Sequence, residues 1–410
     1  MDDKSDLVLI LSSRVLRSIA TGALGVTTGL YLYNVLHLSA TLIGIFFGVG
    51  AFATPLMSLY FGRLGDCYGR KRMLLITLLF LPIATAILLL TSNYALLIVA
   101  AALGGFGTAG ALASGSVGAI VAPMMTALLA DKTNEENRTI VYSLLNLASG
   151  LAGAVGALLA HLSYREGFMI ALVLSTLSFL TILPVRDRYS EGVAKGKCGS
   201  INGKLNESDR KVIRRFVLTG AFNGIGQGLV TPFLPIVFEI LLKIPKGEIG
   251  NIFFLGGLAA ALISLLTPVI TNRLGFVKTV VLTRSISTAA LVTLPFVNRF
   301  SPVLSYDVTI AMVAYLVYVM FRIVSLPAQS ALMMSLVSQG SRSTTAGANQ
   351  AARLLPSAAA TLSSGVMIDY IALPVPFVIA VIINGVNIYF YTRFFKDVKI
   401  GNRVRSIVVD

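Results

Sequence analysis

Two arginines lie deep inside apolar runs of the sequence, where a positive charge has few ways to reach water. Arg322 is about 18 residues into a run that starts near 304, which at 1.5 Å per residue places it near the middle of a bilayer-spanning helix. Arg353 is about eight residues into the next run, in its inner third. Ionisable groups at such depth are rare and mark functional sites. No acid lies at a matching depth, so both arginines favour an anionic ligand, whose oxygens pair well with guanidinium.

A structural role is the alternative for each arginine. The long side chain of Arg353 could extend to the inner surface, or it could pair with Asp66 or Asp131 across a gate. Whether Arg353 contacts substrate or belongs to a gate stays open at this point.

Uncharged polar side chains in the same runs predict the walls of a binding cavity. Asn223 and Gln227 are four residues apart and therefore share one face of a helix. Hydrogen bonding between helices is the alternative role for all such residues. The further candidates are Tyr31, Asn34, Gln329 and Asn349.

Glu239 and Asp369 are the acids considered for proton coupling, and both fall near the outer ends of their predicted helices. Such a position suits a solvated or capping carboxylate as well as a proton carrier. The two cysteines and two histidines form no metal-binding pattern. The sequence contains no nucleophile–base pair and no phosphate-binding loop. We therefore expect no enzyme, no metal and no cofactor.

The composition requires lipid as the solvent for most of the chain. Hydrophobic residues make up 56% of the 410 residues and charged residues only 12%, whereas soluble domains contain about 25% charged residues. The apolar runs reach about 20 residues, the length of a spanning helix. The sequence therefore predicts an all-α integral membrane protein.

About twelve spans are predicted, and the basic residues set their orientation. With both termini in the cytoplasm, the outer loops contain few cations, whereas clusters such as 70–72 and 210–215 lie inside. This positive-inside bias predicts cytoplasmic termini, and it explains the net charge of +15 without nucleic-acid binding. We expect the protein to be integral to the plasma membrane. The predicted spans are 12–36, 41–61, 72–91, 94–130, 138–160, 165–184, 213–240, 247–271, 278–297, 304–338, 345–370 and 375–396.

Three glycine pairs indicate that the chain contains two related halves. Gly22, Gly44 and Gly69 each have a counterpart 206 positions later, at Gly228, Gly250 and Gly275. The polar, glycine-containing stretch 185–212 predicts a flexible cytoplasmic linker. We therefore predict an N-terminal six-helix bundle over 1–184 and a C-terminal bundle with a tail over 213–410. Within the first bundle, the glycine-rich stretch 104–110 predicts a bend or an unwound segment.

The segment 62–72 reads Gly-Arg-Leu-Gly-Asp-Cys-Tyr-Gly-Arg-Lys-Arg and lies between the second and third predicted spans. It resembles the signature of the major facilitator superfamily, Gly-x-Leu-x-Asp-Arg-x-Gly-Arg-Lys, with Cys67 in place of the usual basic residue. The matching residues are Gly62, Leu64, Asp66, Gly69, Arg70 and Lys71.

The resemblance implies twelve helices in two pseudo-symmetric bundles, a substrate site between them and access that alternates by rocking. It also implies that Asp66 faces the N-terminus of the eleventh helix, near 343–345, and holds the outward-open state by about 0.3–1 kcal/mol. Arg138 and Arg342, which open the fifth helix of each half, are assigned to the same gate. The alternative is a positive-inside loop with an ordinary helix cap.

The main hypothesis is therefore secondary transport of a small solute, with an anion bound through Arg322. A proton-coupled exporter of drugs or metabolites is the alternative within the family. A non-transporting membrane scaffold is the alternative of another class. The partners expected are the solute, the lipid bilayer and a coupling proton or counter-ion, whereas substrate identity, direction, coupling ion and oligomeric state stay open.

Overall fold

The computed structural model describes residues 3–107, 119–121, 124–125, 128–129, 135–186, 207–299, 304–337 and 342–395. Over these residues the chain is α-helical, with short 3₁₀ segments and no strand. The helices are α1 (Asp3–Asn34), α2 (Ala40–Tyr68), α3 (Arg70–Leu90), α4 (Tyr94–Gly104), α5 (Glu135–Ala157), α6 (Tyr164–Ile182), α7 (Glu207–Val230), α8 (Leu234–Leu242), α9 (Lys246–Leu274), α10 (Phe276–Thr293), α11 (Leu304–Leu336), α12 (Arg342–Tyr370) and α13 (Val375–Phe395).

Ten segments of the described chain are long and apolar enough to cross a membrane, with α7 and α8 forming one of them. Helix α12 is not among these ten, although its 29 residues are long enough to span. Its serines, threonines and amides lower its hydropathy. Packing against neighbouring helices compensates for this polarity, as described below.

Helix α4 ends early because of glycine. It stops at Gly104, and Gly105 follows in the left-handed conformation with φ 63°. Gly107 also has a positive φ of 79°, a conformation that favours glycine. The bend predicted from the glycine-rich sequence is therefore confirmed for 104–107. The rest of that prediction, 108–110, and most of the predicted fourth span lie outside the described residues.

The seventh predicted span is interrupted, which the sequence analysis did not foresee. Residues Thr231–Phe233 form a 3₁₀ turn between α7 and α8. Pro232 and Pro235 lack the backbone N–H that a continuous α-helix would use, which accounts for the break. The predicted eleventh helix (α12) begins at Arg342, as expected, three residues before the predicted span 345–370.

The internal repeat is visible in the bounds of the helices. Helix α2 (residues 40–68) and helix α9 (residues 246–274) each contain 29 residues, displaced by 206 positions. Each ends at a glycine with positive φ, 104° at Gly69 and 79° at Gly275. These glycines allow the sharp turn into the next helix. The fold is thus the predicted all-α arrangement of two related halves.

Close packing inside each half also repeats. A Cβ on Gly22 of α1 would collide with the backbone of Gly153 in α5, and a Cβ on Gly228 of α7 would collide with the backbone of Ser357 in α12. Helix α7 presents a second such position, Gly224, against the backbone of Arg353. Small residues at this spacing let two helix backbones touch. This contact holds the polar helix α12 in place.

We call the two ends of the molecule the linker end and the far end. The linker end contains the α2–α3 junction, the end of α6 and the start of α7; the far end contains the α1–α2 connection (35–39). The largest apolar core runs through both halves and includes Phe46, Phe47 and Phe233. The predicted linker 185–212 is too long at its end, because α7 begins at Glu207 and residues 207–212 are therefore helical. Its residues 187–206 lie outside the described chain.

Candidate functional site

Arg322 lies in the interior of the C-terminal half, with only 5% of its surface exposed. Its Nη2 donates to the Asn223 side-chain oxygen at 2.6 Å and to the Asn223 carbonyl at 3.3 Å. Nη1 donates to Asn384 Oδ1 at 3.4 Å. With the Gln227 amide turned so that its oxygen faces the guanidinium, Gln227 accepts from Nε at 3.1 Å. Amide oxygens from α7 and α13 therefore hold Arg322, and none of them neutralises its charge.

A second buried arginine, Arg284 on α10, was missed by the sequence analysis. It is 2% exposed, and its Nη2 donates to Gln329 Oε1 at 2.5 Å. The guanidinium carbon lies 4.7 Å from the centre of the Tyr391 ring, an arrangement that stabilises a cation. Its Nε and Nη1 are buried without a hydrogen-bond partner. The signal was in the sequence, since position 284 is a charge inside the predicted span 278–297.

Arg353 on α12 is half-buried and completes a cationic cluster with Arg284 and Arg322. Gln329, which binds Arg284, lies two turns from Arg322 on α11, and Gly224, which packs against the backbone of Arg353, follows Asn223, which binds Arg322. Within the described part of the chain, none of the three forms an ion pair with a carboxylate, and Arg353 has no hydrogen-bond partner. The interior of this half therefore carries three positive charges without a protein counter-charge.

Asp369, predicted as a coupling acid, instead links the two halves at the far end. It lies in the last turn of α12, and its carboxylate accepts from the first backbone amides of α2. Oδ1 accepts from Ala40 N at 3.0 Å, and Oδ2 accepts from Thr41 N and Thr41 Oγ1 at 2.6 Å each. Ser39 Oγ caps the same helix from within its own half, accepting from Leu42 N at 3.3 Å.

Glu239, the other candidate acid, also contacts the opposite half. Asn34 Nδ2 of α1 donates to Glu239 Oε1 at 2.6 Å and to Tyr164 Oη at 3.2 Å. Glu239 Oε2 is buried without a partner. Tyr31 packs its ring against Tyr164 and Phe168, at centroid distances of 5.8 and 5.1 Å. The predicted Tyr31 and Asn34 are thus near the far end.

Further contacts complete this far-end junction, by which we mean the contacts of α1, α2 and the α5–α6 connection (158–163) with α8, α9 and α12. His161 Nε2 lies 2.9 Å from Asn251 Oδ1, and Lys246 Nζ donates to the Leu162 carbonyl. Here small residues again allow close approach: a Cβ on Gly44 would lie 3.2 Å from the Cα of Gly365.

At the linker end the halves are separated by a cavity of about 570 Å³. Asn146 and Leu147 of α5 form one wall. The other wall is formed by residues of α9, α10 and α11, among them Thr267, Thr271 and Pro327. The Thr267 hydroxyl is buried without a partner. Over their described residues, the two halves are therefore in contact at the far end and separated by this cavity at the linker end.

The signature residues 62–71 lie at the α2–α3 turn. A Cβ on Gly62 would meet nothing within 4 Å, so this glycine is not at a close approach, whereas Gly69 makes the turn. Leu64 is half-buried. Lys71 Nζ donates to the Leu183 carbonyl at 2.8 Å, within its own half, and Arg70 is half-buried. Nothing is described for the side chains of Asp66, Arg138 and Arg342, so their gating roles stay predictions.

Of the predicted cavity-wall residues, several bind arginines instead of lining an open space. Asn223 and Gln227 share a face, as expected, and that face meets Arg322. Gln329 meets Arg284. Asn349 is half-buried, and its Oδ1 has no partner. Asn384 was not predicted, although it is an amide inside an apolar run like the others.

A family model described as Major Facilitator Superfamily matches residues 10–361. No curated protein sequence matches the chain. Among solved structures, a D-xylose-proton symporter shares 15% identity with a TM-score of 0.76, covering 95% of this chain and 97% of that chain. The nucleoside transporter NupG shares 11% with a TM-score of 0.74, and the human organic anion transporter MFSD10 shares 16% with a TM-score of 0.64; each comparison covers 95% of this chain and 100% of the other. At these identities the likeness is one of fold.

Proposed function

Because the chain belongs to the major facilitator superfamily, we propose that it is a secondary transporter that carries a small anionic solute across the plasma membrane. The observation that supports an anion is the cationic cluster of Arg284, Arg322 and Arg353, which has no carboxylate partner among the described residues. A buried charge is costly unless it is paired. A bound anion would supply the missing counter-charge.

Arg322 is the residue through which we propose that the anion is held. Its hydrogen bonds to Asn223 and Asn384 join α11 to α7 and α13, so its guanidinium has a defined position before a ligand arrives. A pre-positioned group loses little conformational freedom on binding. Arg353, which is half-buried, would be reached first by a solute entering from the space between the halves.

Access would alternate between the two ends. The far-end junction joins the halves through the carboxylates of Asp369 and Glu239, while a cavity of about 570 Å³ separates them at the linker end. With both termini in the cytoplasm, as the positive-inside bias indicates, this arrangement corresponds to an inward-facing state. Asp66 would make the complementary contact when the linker end closes.

Proton-coupled export of a drug or metabolite is the second candidate function. It is favoured by one observation, the buried Oε2 of Glu239, which has no partner. A carboxylate whose second oxygen is unsatisfied in an apolar setting gains by taking up a proton.

The test is thermal stability of the purified full-length protein against ligands grouped by charge, with the variant Arg322→Gln beside the wild type. A ligand that binds the folded state raises the unfolding temperature. We expect anions to stabilise the wild type. In Arg322→Gln their apparent affinity should be weaker by about tenfold or more, because a hydrogen bond to a charged group contributes about 1.5–3 kcal/mol.

The control is Arg273→Gln, which removes an exposed cation at the end of α9 and should leave the anion effect unchanged. Stabilisation by lipophilic cations alone, insensitive to Arg322, would replace the anion proposal with drug export and would make Glu239→Gln the next variant.

A further inference from the structure

Arg284 carries an observation that the transport proposal does not use. Its side chain is oriented by Gln329, which accepts from Nη2, and by the Tyr391 ring, which lies beside the guanidinium. Nε and Nη1 nevertheless have no partner and no contact with water. Two nitrogens of a buried cation, which carry three N–H donors, are thus left free on a side chain that is otherwise held in place.

The three arginines of the cluster differ in how far their donors are satisfied. Arg322 is surrounded by amide oxygens from Asn223, Asn384 and Gln227. Among the described residues, Arg284 has one hydrogen bond and Arg353 has none. Since amide oxygens satisfy donors without removing charge, the cluster keeps its full positive charge, and its free donors belong to Arg284 and Arg353.

One negative charge would leave most of this positive charge in place. A solute with a single anionic group could satisfy the donors of one arginine, while the charges of the other guanidinium groups would stay uncompensated in a setting where unpaired cations are costly. Two negative charges would serve Arg284 and Arg353 together, with Arg322 adding to the field at both. The arrangement therefore selects a solute by the number of its negative charges as well as by their sign.

We propose that the solute carries two negative charges and is held between Arg353 and Arg284, with Arg284 as the residue that selects dianions over monoanions. This inference rests on the proposed anion transport and specifies its substrate class. Arg353 is more exposed than the other two, so it would meet the first anionic group, and Arg284 would bind the second at greater depth.

The experiment compares succinate with butyrate, two four-carbon acids that differ by one charge, as stabilising ligands of the full-length protein. For the wild type we expect succinate to bind about tenfold or more tightly, since one charge-assisted hydrogen bond contributes about 1.5–3 kcal/mol. In Arg284→Gln this preference should fall to about twofold or less, while butyrate binding is retained. Lys278→Gln removes an exposed cation from the same helix and should keep the preference.

Glycerol phosphate, with both charges on one group, is the third probe. If glycerol phosphate binds more tightly than succinate, the arginines converge on one anionic group of the ligand. If succinate binds more tightly, they bind two separated anionic groups. If Arg284→Gln fails to fold, the test rests on Arg353→Gln, in which the preference for succinate over butyrate should also fall, and on the same preference in the wild type. Equal binding of succinate and butyrate by the wild type would overturn the dianion inference and leave anion transport standing. No response to any anion would overturn both.

Discussion

The cationic cluster and the far-end junction both contain ionisable side chains in the helical part of the molecule, but they satisfy them in opposite ways. In the cluster, amide oxygens satisfy Arg322 and one nitrogen of Arg284, and the remaining donors of Arg284 are left free. In the junction, Asp369 has each of its oxygens occupied by the first amides and hydroxyl of α2. The free donors of the cluster are available to a ligand, whereas the fully paired carboxylate of the junction holds a conformation.

The partners of Asp369 make the second role specific. An acid in the last turn of its own helix meets the negative end of that helix dipole, which is unfavourable. The N-terminus of α2 in the other half compensates for this cost, and Ser39 already caps α2 without help. Asp369 is therefore dispensable for forming α2 and effective only while the two halves are together.

The resemblance assigns the mirror-image contact to Asp66. It lies near the end of α2 and is predicted to face the start of α12, whereas Asp369 lies near the end of α12 and contacts the start of α2. The same two helices would thus exchange one carboxylate–helix contact for the other. Three variants test this comparison with the cluster, and each should leave the preference for succinate over butyrate intact.

The largest effect is expected from Gly365→Leu. A Cβ at this position would collide with the Ala40 carbonyl of the other half, so α2 and α12 must separate at the far end. Because overpacking costs about 1–3 kcal/mol and each 1.4 kcal/mol is a factor of ten, we expect a shift of about tenfold or more toward a far-end-open state.

The measurement is the distance between spin labels at Ser92 and Ala372, exposed far-end positions in opposite halves, in a background without Cys67 and Cys198. Gly385→Leu is the matched control, because a Cβ there would meet nothing within 4 Å. A far-end distance equal to that of the control would contradict the close-packed junction.

A smaller shift in the same direction is expected from Asp369→Asn. The amide keeps the shape but loses the charge that faces the α2 N-terminus, a contribution of about 0.3–2 kcal/mol or about 2- to 30-fold in the equilibrium. The same label pair reports it. Ser163→Ala is the control, since Ser163 Oγ caps α6 by accepting from Glu166 N within one half, and its loss should lower stability without changing the inter-label distance. An equal distance change in both variants would mean that Asp369 acts as an ordinary cap.

The smallest effect, with the opposite sign, is expected from Asp66→Asn. If this acid holds the linker end closed, its loss should favour the far-end-closed arrangement by about 0.3–1 kcal/mol, or about two- to fivefold. Arg72→Gln removes a charge from the same loop as a control. A shift toward the far-end-open distance would show that Asp66 does not oppose Asp369.

Much of the fold was predictable from local pattern. Helix lengths follow from apolar run lengths, and the repeat follows from Gly69 and Gly275, which end equivalent helices at positive φ. The break after Val230 was missed, although Pro232 and Pro235 stand there, because an unbroken apolar run was given more weight than its prolines. Arg284 was missed because it lies only six residues inside the predicted span 278–297, near the inner end.

What could not be predicted is which groups meet. Residue types and spacing along this chain specify where charge enters the membrane and how the two halves repeat, because burial in lipid constrains each helix separately. Whether a charge is paired depends on helices distant in sequence: Arg322 finds Asn384 62 positions away, and Asp369 finds Ala40 329 positions away. Hydrogen bonds act over about 3 Å, so only the packing of the helices decides that the arginines keep free donors while Asp369 is bound to the opposite half.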